Sequence, residues 1–224
     1  MQNKKLIISA MYQELEQAIV TWSAELIEDN SIVKVYQAKN ILFAITGIGL
    51  VNASIALSYL LSKYHIDTIL NIGTCGSLNQ NLKQQDIVIV KNAWYSAADA
   101  TAFNYSYGQI PKMTKFYQTD KDLNKSIENK LKNFKYVNIA SADIFINNKQ
   151  QIDLFINKLE QIIDVVDMEC TSFLQTAYLF NKKITSIKVI SDVLFSEEKN
   201  SLQFNEFINH ASKIISQIIL KLFN

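Results

Sequence analysis

ILFAITGIGLVNASIALSYLL, residues 41–61, is the stretch of sequence that decides the fold class. It carries no charged side chain, and its length reaches the roughly 20 residues that span a bilayer. Gly47 and Gly49 interrupt it, however, and Thr, Asn and Ser side chains lie among its apolar residues. A buried strand at 41–45, a tight glycine turn and a helix at 51–61 therefore explain the stretch better than one membrane-spanning helix.

Short apolar runs alternate with amphipathic segments along the rest of the chain, which is the pattern of an α/β domain. The other predicted strands are 6–9, 32–36, 68–72, 86–90, 137–140, 163–166 and 185–190. The other predicted helices are 12–27, 121–134, 150–159, 169–181 and 204–222. Residues 92–120 show no clear period, and so long a stretch inside a compact domain is usually functional or part of an interface. We predict a single domain over residues 1–224.

The charge composition excludes several classes of function. The chain of 224 residues has 22 Lys and no Arg against 21 acidic residues, a net charge of +1. This balance leaves no electrostatic footprint for nucleic acid or for an anionic membrane surface. An enzyme that grips phosphate usually uses the bidentate Arg fork, which this chain cannot supply. Codon bias toward Lys is the alternative explanation for the missing Arg.

Few residues are available for metal or thiol chemistry. Cys75 and Cys170 are the only cysteines, which excludes a disulfide scaffold and suits a reducing cytosol. His65 and His210 are the only histidines and lack metal-ligand spacing, so we expect neither a metal site nor a Ser-His-Asp triad. The glycines form no P-loop or dinucleotide fingerprint, and we predict no cofactor. The N-terminus lacks the pattern of a secretory signal, and we predict a cytoplasmic protein.

Carboxylates and hydroxyls cluster at the predicted strand ends, where open α/β sheets bind ligands. They are Glu14, Thr74, Asp167, Glu169, Ser191 and Asp192. Such a set suits a hydrolase in which one carboxyl acts as an acid and another holds water. The alternative is structural, because Asp167 and Asp192 could cap helices and an acidic residue such as Glu169 stabilises a first helical turn without any function.

Four motifs together resemble the 5'-methylthioadenosine/S-adenosylhomocysteine nucleosidases of the nucleoside phosphorylase superfamily: YSAADATAFNYSYGQIP (95–111), ADIFIN (142–147), VDMEC (166–170) and ISDV (190–193). The resemblance extends from AMYQE (10–14) through GIG (47–49) and GTCGS (73–77) to FNEF (204–207). Asp-x-Thr-Ala-Phe followed by Tyr-x-Tyr-Gly-Gln-x-Pro is its most specific part, and it distinguishes nucleosidases from phosphorylase relatives. The resemblance implies a three-layer α/β/α fold with a mixed central sheet flanked by helices.

The resemblance also implies roles for the carboxylates. Asp192 matches the general acid toward adenine N7, which requires a proton held near neutral pH and hence a raised pKa. Ser191 would orient it. Glu14 matches the residue that binds and activates the attacking water, and Glu169 matches the residue that receives the ribose hydroxyls.

The substrate-binding residues follow from the same resemblance. Phe145 is placed to stack on adenine, the backbone of Ile146 to read its edge, Met168 to pack beside the sugar, and Thr74 to lie near the ribosyl site. The 5'-substituent pocket of the family is apolar and shared with a second subunit, and its lining matches Ile48, Phe103, Tyr105, Pro111 and Phe204. For each aromatic residue, core packing is the alternative interpretation.

Several positions depart from the family pattern: GTCGS replaces GSAGG, Ala142 replaces Gly, Asp167 replaces Glu, and Lys188 stands where Arg is frequent. GTCG also occurs among phosphorylases, so this motif favours the other branch. The absence of Arg opposes it, because phosphorylase relatives grip phosphate with arginines. We therefore predict water as the nucleophile.

The implied reaction is hydrolysis of methylthioadenosine and S-adenosylhomocysteine, and of 5'-deoxyadenosine, to adenine and the 5-thioribose product or its analogue. The resemblance further implies a homodimer and a place in methionine salvage and nucleoside catabolism. Two alternatives stay open: a hydrolase or phosphorylase for another purine nucleoside such as 6-amino-6-deoxyfutalosine, and a non-catalytic nucleoside-binding module.

Overall fold

The computed structural model describes residues 3–194 and 200–224, without the side chains of 200–203 and 205. The strands within them are β1 Lys4–Ser9, β2 Glu25–Asp29, β3 Lys34–Ala38, β4 Ile41–Ile45, β5 Ile66–Ser77, β6 Ile87–Tyr95, β7 Tyr117–Gln118, β8 Phe134–Ser141, β9 Val165–Asp167 and β10 Lys183–Val193. The helices are α1 Tyr12–Thr21, α2 Leu50–Lys63, α3 Lys121–Glu128, α4 Lys149–Gln151, α5 Cys170–Leu179 and α6 Asn200–Phe223. A 3-10 turn at Thr101–Phe103 and a π-helical turn at Ile152–Ile156 complete the description.

The strands form one mixed sheet in the order β10-β6-β8-β9-β5-β1-β4-β3-β2, and β7 pairs with β6 outside this order. Strands β1, β4, β5 and β10 pair in parallel, whereas β2, β3 and β4 form an antiparallel meander. Strand β10 pairs with both β5 and β6, so the sheet closes on itself at one end. The short strand β9 lies between β5 and β8 and completes this closed part of the sheet.

Helices cover both faces of the sheet. In β1, Leu6 and Ile8 join the core that includes Leu57 of α2, whereas Ile7 joins the core that includes Leu15 of α1. This alternation follows from the two-residue period of a strand. Helix α5 packs beside α2 in the first layer, and α6 packs beside α1 in the second. The predicted α/β/α architecture with a mixed central sheet is confirmed.

The stretch at 41–61 forms the predicted strand β4, a turn and helix α2. Helix α2 has 14 residues, too few to cross a bilayer. No helix within residues 3–194 and 200–224 combines the length and the apolar composition of a membrane span.

The predicted helix at 12–27 is wrong at its C-terminal end. Helix α1 stops at Thr21, and Ser23 adopts a left-handed conformation with φ 47° that turns the chain into β2. Leu26 then pairs with Tyr36 across the β2–β3 ladder. The apolar residues that continued the helical spacing belong instead to a turn and an edge strand, which local periodicity cannot distinguish.

The stretch at 92–120 is more ordered than the sequence indicated. Its first residues extend β6, and its last residues form β7 against that strand. The ring of Phe116 stacks on Trp94 at 5.1 Å between centroids. Gly108 has φ +83°, and a Cβ there would lie 2.6 Å from the carbonyl oxygen of Tyr95, so only glycine fits this close approach.

Candidate active site

One cavity opens where strands β5, β9 and β10 meet helices α1, α5 and α6 and the turn that precedes α2. It collects ten of the thirteen residues that the sequence predicted for the site: Glu14, Ile48, Thr74, Phe145, Ile146, Met168, Glu169, Ser191, Asp192 and Phe204. The cavity thus brings together side chains that are up to 190 residues apart in the chain (Glu14 to Phe204). Several of them lie within the last residues of their strands rather than beyond the strand ends.

Glu14, in the first turn of α1, accepts four hydrogen bonds. One oxygen accepts from the backbone N of Thr74 at 2.7 Å and from its Oγ1 at 2.8 Å. The other accepts from the Ser9 hydroxyl and from the Met11 backbone N. A Cβ on Gly73 would lie 2.8 Å from Glu14 Oε1, so the carboxylate packs directly on the β5 backbone. These contacts fix the carboxylate in one orientation. Glu14 is also buried, with only 3% of its surface exposed.

Asp192 packs on β5 in a similar way, at Gly76, three residues beyond Gly73. It lies in strand β10, so the alternative interpretation as a helix cap is wrong. The Ser191 hydroxyl donates to Asp192 Oδ1 at 2.6 Å, and a Cβ on Gly76 would lie 3.0 Å from Oδ2. GTCGS therefore supplies one glycine to each of the two candidate catalytic carboxylates. The sequence indicated that the GTCGS motif belongs to the site, but not that its glycines make room for the carboxylates.

Glu169 immediately precedes α5, and its carboxylate reaches across the cavity to α2. Its Oε1 accepts from the backbone N of Gly49 at 2.8 Å. Burial, reinforced by the charge of Asp167 and opposed by Lys188, raises the pKa of Glu169 to about 8. Glu169 therefore does more than stabilise the first turn of α5, since its carboxylate also binds the turn that precedes α2.

Asp167 and Lys188 form a buried ion pair beside these carboxylates. Lys188 Nζ lies 2.8 Å from Asp167 Oδ2, and each side chain is 3% exposed. The Asp167 carboxylate also accepts from the Ser141 hydroxyl and from the backbone N of Cys170, so it caps the start of α5 as the structural alternative proposed. Burial disfavours the Lys188 ammonium, but Asp167 and the other acidic groups raise its pKa above the ordinary value. The two positions that depart from the family pattern are thus partners.

An apolar wall faces the acidic groups. Phe145 and Phe204 meet edge to face with ring centroids 6.1 Å apart. Ile146 is buried behind them, while Phe145 is 38% and Ile48 50% exposed. The wall therefore offers an aromatic face to a ligand and stays open on the side of Ile48. The segment at 195–199, which precedes Phe204, lies outside the described residues.

The structure does not bring the three remaining predicted residues into this cavity. Phe103 is 76% exposed on the 3-10 turn, Pro111 is exposed, and Tyr105 is half-buried between them. None of the three lines the cavity of its own chain.

The sequence also missed several residues of the cavity wall. Met11, Asn71 and Cys75 line it although no role was predicted for them. Two of these lie inside motifs that the sequence had singled out, AMYQE and GTCGS, so their motif position was a usable signal. Asn71 lies in the middle of β5 and carried no such signal.

This fold and this cavity, whose wall carries several buried carboxylates, define an α/β enzyme with a small-molecule substrate. The chain belongs to the Phosphorylase superfamily, whose family model matches residues 6–224. The family resemblance predicted from the sequence is therefore confirmed.

Individual relatives agree with this assignment. A 5'-methylthioadenosine/S-adenosylhomocysteine nucleosidase from Staphylococcus carnosus is 34% identical over 226 residues, which cover 96% of this chain and 97% of the relative. The structure of such a nucleosidase from Neisseria meningitidis, in complex with methylthio-immucillin-A, superposes with a TM-score of 0.88 at 22% identity and covers 99% of this chain and 98% of that one. Futalosine hydrolase of Helicobacter pylori shares the fold with a TM-score of 0.87 at 21% identity, covering 98% and 97%.

Proposed function

We propose that the chain hydrolyses the N-glycosidic bond of 5'-methylthioadenosine and S-adenosylhomocysteine to adenine and the 5-thioribose product. The observation that carries the proposal is the pair of buried carboxylates, Glu14 and Asp192, that pack on Gly73 and Gly76 of one strand and line one cavity. The nucleosidase relatives, which match nearly the whole chain, support the same reaction. The whole chain would then act as one catalytic domain.

The chemistry assigns different tasks to the two carboxylates. Cleavage of the bond between C1' and N9 leaves positive charge on the ribose and sends the bonding electrons to the base. Asp192 donates its proton to adenine N7, which neutralises the departing base. Glu14 accepts a proton from water as the water oxygen forms the new bond to C1'. The Ser191 hydroxyl orients Asp192 through its 2.6 Å hydrogen bond.

The remaining wall residues hold the substrate. Phe145 stacks on adenine and the backbone of Ile146 reads its edge. Glu169 receives the ribose hydroxyls with the carboxylate oxygen that does not accept from Gly49. Met168 packs beside the sugar, and Thr74 places its hydroxyl near the ribosyl group while it holds Glu14.

Water is the proposed nucleophile because the cavity has no free cation for phosphate among the described residues. Lys188 is the one basic residue in the cavity wall that the structure describes, and its ammonium is engaged by Asp167 at 2.8 Å. The sequence contains no Arg that could take over.

The 5'-substituent pocket is proposed to be completed by a second copy of the chain. Ile48 opens the cavity toward the surface, and the exposed side chains of Val51 and Ile55 continue an apolar strip along α2. Phe103, Tyr105 and Pro111, which do not line the cavity of their own chain, would enter that of the partner. A homodimer with a shared pocket follows, and we propose that it acts in the cytoplasm, in methionine salvage.

The deciding experiment follows adenine release in phosphate-free buffer. Hydrolysis predicts full turnover of methylthioadenosine without phosphate, whereas turnover that requires phosphate would refute the choice of water. A panel with S-adenosylhomocysteine, 5'-deoxyadenosine and 6-amino-6-deoxyfutalosine ranks the nucleosides. A binding module would bind the panel and leave Asp192→Asn and wild type equally inactive.

A further inference from the structure

The N-terminus of α2 is capped by two carboxylates from distant parts of the chain. Gly49, the residue before the helix, has no side chain with which to cap it. Its backbone N donates to Glu169 Oε1 at 2.8 Å, and the backbone N of Leu50 donates to Asp143 Oδ1 at 2.7 Å. The first N–H groups of a helix have no intrahelical partner, so these bonds hold the turn in place.

Asp143 fits closely against this turn. Gly49 has φ +106°, and a Cβ there would lie 2.9 Å from Asp143 Oδ1. A side chain at residue 49 would therefore be strained and would also displace the carboxylate. Because Gly49 has no side chain, the Asp143 carboxylate can approach the turn closely enough to accept the hydrogen bond from Leu50.

The contact joins two walls of the cavity. Asp143 directly precedes Ile144, Phe145 and Ile146, which line the cavity on the side proposed for adenine. Through Leu50 it holds the turn that carries Ile48, on the side proposed for the 5'-substituent. Asp143 itself is exposed and does not line the cavity, so it acts through the residues that it holds.

We propose that Asp143 is a positioning residue for the ribose and the 5'-substituent, an inference that rests on the proposed function. Its bond to Leu50 fixes the backbone of residues 48–50. That backbone keeps Ile48 against the 5'-substituent and keeps the Gly49 N–H on Glu169, which leaves the second carboxylate oxygen directed at the ribose. The base is held by Phe145 and Ile146, whose segment has an anchor of its own, since Ile146 is buried and the backbone N of Asn147 donates to Gln151 Oε1 at 2.8 Å.

The proposal predicts a selective loss of affinity. Removal of the carboxylate in Asp143→Ala weakens methylthioadenosine binding about tenfold, because the nucleoside must then order the freed turn when it binds, and leaves adenine binding within twofold. In the active enzyme the same change raises KM about tenfold and alters kcat less than threefold, because it weakens binding without touching the acid or the water. Asp143→Asn retains an acceptor oxygen for Leu50 and restores most of the affinity.

Calorimetric titration with methylthioadenosine and with adenine tests the proposal in protein that carries Asp192→Asn, which should cleave the nucleoside about 10³-fold more slowly than wild type. The matched control is Asp120→Ala, because Asp120 accepts from the Leu123 backbone N at the start of α3, away from the cavity. Gly49→Ala, which disturbs the same contact from the other side, should reproduce the selective loss and replaces Asp143→Ala if that variant does not fold.

The outcomes separate this inference from the proposed function. No binding of methylthioadenosine to the parent protein would refute the proposed function. Normal binding to the parent together with equal binding to Asp143→Ala would refute only the positioning role. A loss shared equally by adenine and the nucleoside, or a loss that Asp143→Asn does not restore, would also overturn it, since Asp143 would then support the fold rather than one end of the site.

Discussion

The two ends of the cavity are built differently. At the acid–base end, Glu14 accepts four hydrogen bonds from its own chain, and Asp192 is 2% exposed between Ser191 and Gly76. At the opposite end, Ile48 is half exposed, and Phe103 lies outside the cavity and is 76% exposed. The groups proposed to break the glycosidic bond are thus fixed by contacts within one chain. Ile48 and Phe103, which are proposed to select the 5'-substituent, are instead exposed.

Loss of the proposed acid should have the largest effect. It should slow the chemical step and leave ligand binding unchanged. Asp192→Asn keeps the size of the side chain and its contact with Ser191 but cannot donate the same proton. We expect kcat to fall about 10³-fold with adenine binding retained, as is typical for removal of a general acid. The measurement is adenine release, with the exposed Asp67→Asn at the far end of β5 as the control. Activity within tenfold of wild type would remove Asp192 from the mechanism.

The ion pair beside the site should affect stability strongly. Lys188→Met leaves Asp167 charged, buried and without its cation, and removal of one partner from such a pair costs about 3–5 kcal/mol in the free energy of unfolding. Asp167→Asn combined with Lys188→Met should recover part of this loss in urea unfolding. The exposed pair Lys34–Asp29 provides the control, since Lys34→Met should change stability little. Equal effects at both pairs would contradict the importance of burial.

These pairings show where sequence reasoning stops. Strongly periodic segments such as β4 and α2 were predicted correctly, because their side-chain pattern is local. The partnership of Asp167 with Lys188 was not, because it depends on β9 and β10 both pairing with β5. The bond from Asp143 to Leu50 spans 93 residues and was invisible for the same reason.

Motifs predicted the membership of the site better than its geometry. Glu14, Asp192 and Glu169 carried recognisable neighbours in sequence, so their presence in one cavity could be expected. The need for glycine at residues 73 and 76 could not be expected. It arises because a Cβ at either position would occupy space that a carboxylate fills in the folded structure. The end of α1 was missed because a left-handed Ser23 leaves no signal in an apolar pattern.

The raised pKa of Glu169 should appear in the pH dependence of stability. Its folded-state pKa is about 8 because of burial and Asp167, against about 4.5 in the unfolded chain. Above pH 4.5 the unfolded state ionises and is stabilised, while the folded state does so only near pH 8. Wild-type protein should therefore lose stability relative to Glu169→Gln between these values, by about 1.4 kcal/mol for each unit of difference.

The measurement is urea unfolding of both ligand-free proteins at pH 5 and pH 8. The two should differ little at pH 5 and most at pH 8, with the variant more stable. Glu16→Gln, on the exposed face of α1, should follow the wild type at both pH values. A difference that stays constant with pH would show that Glu169 ionises equally in both states, and the surroundings of Glu169 would then be wetter than its burial indicates.

The open end of the cavity should respond with the smallest effect and with a different signature. Phe103→Ala combined with Tyr105→Ala removes two aromatic side chains that do not line the cavity of their own chain. If a second copy uses them, KM for methylthioadenosine should rise about tenfold, the dimer should dissociate more readily in analytical ultracentrifugation, and adenine binding should not change. Ile162→Ala, which removes an equally exposed apolar side chain, is the control. A monomeric wild type with normal KM, or a double variant with neither effect, would show that one chain completes its own pocket, and the contrast between the two ends of the site would disappear.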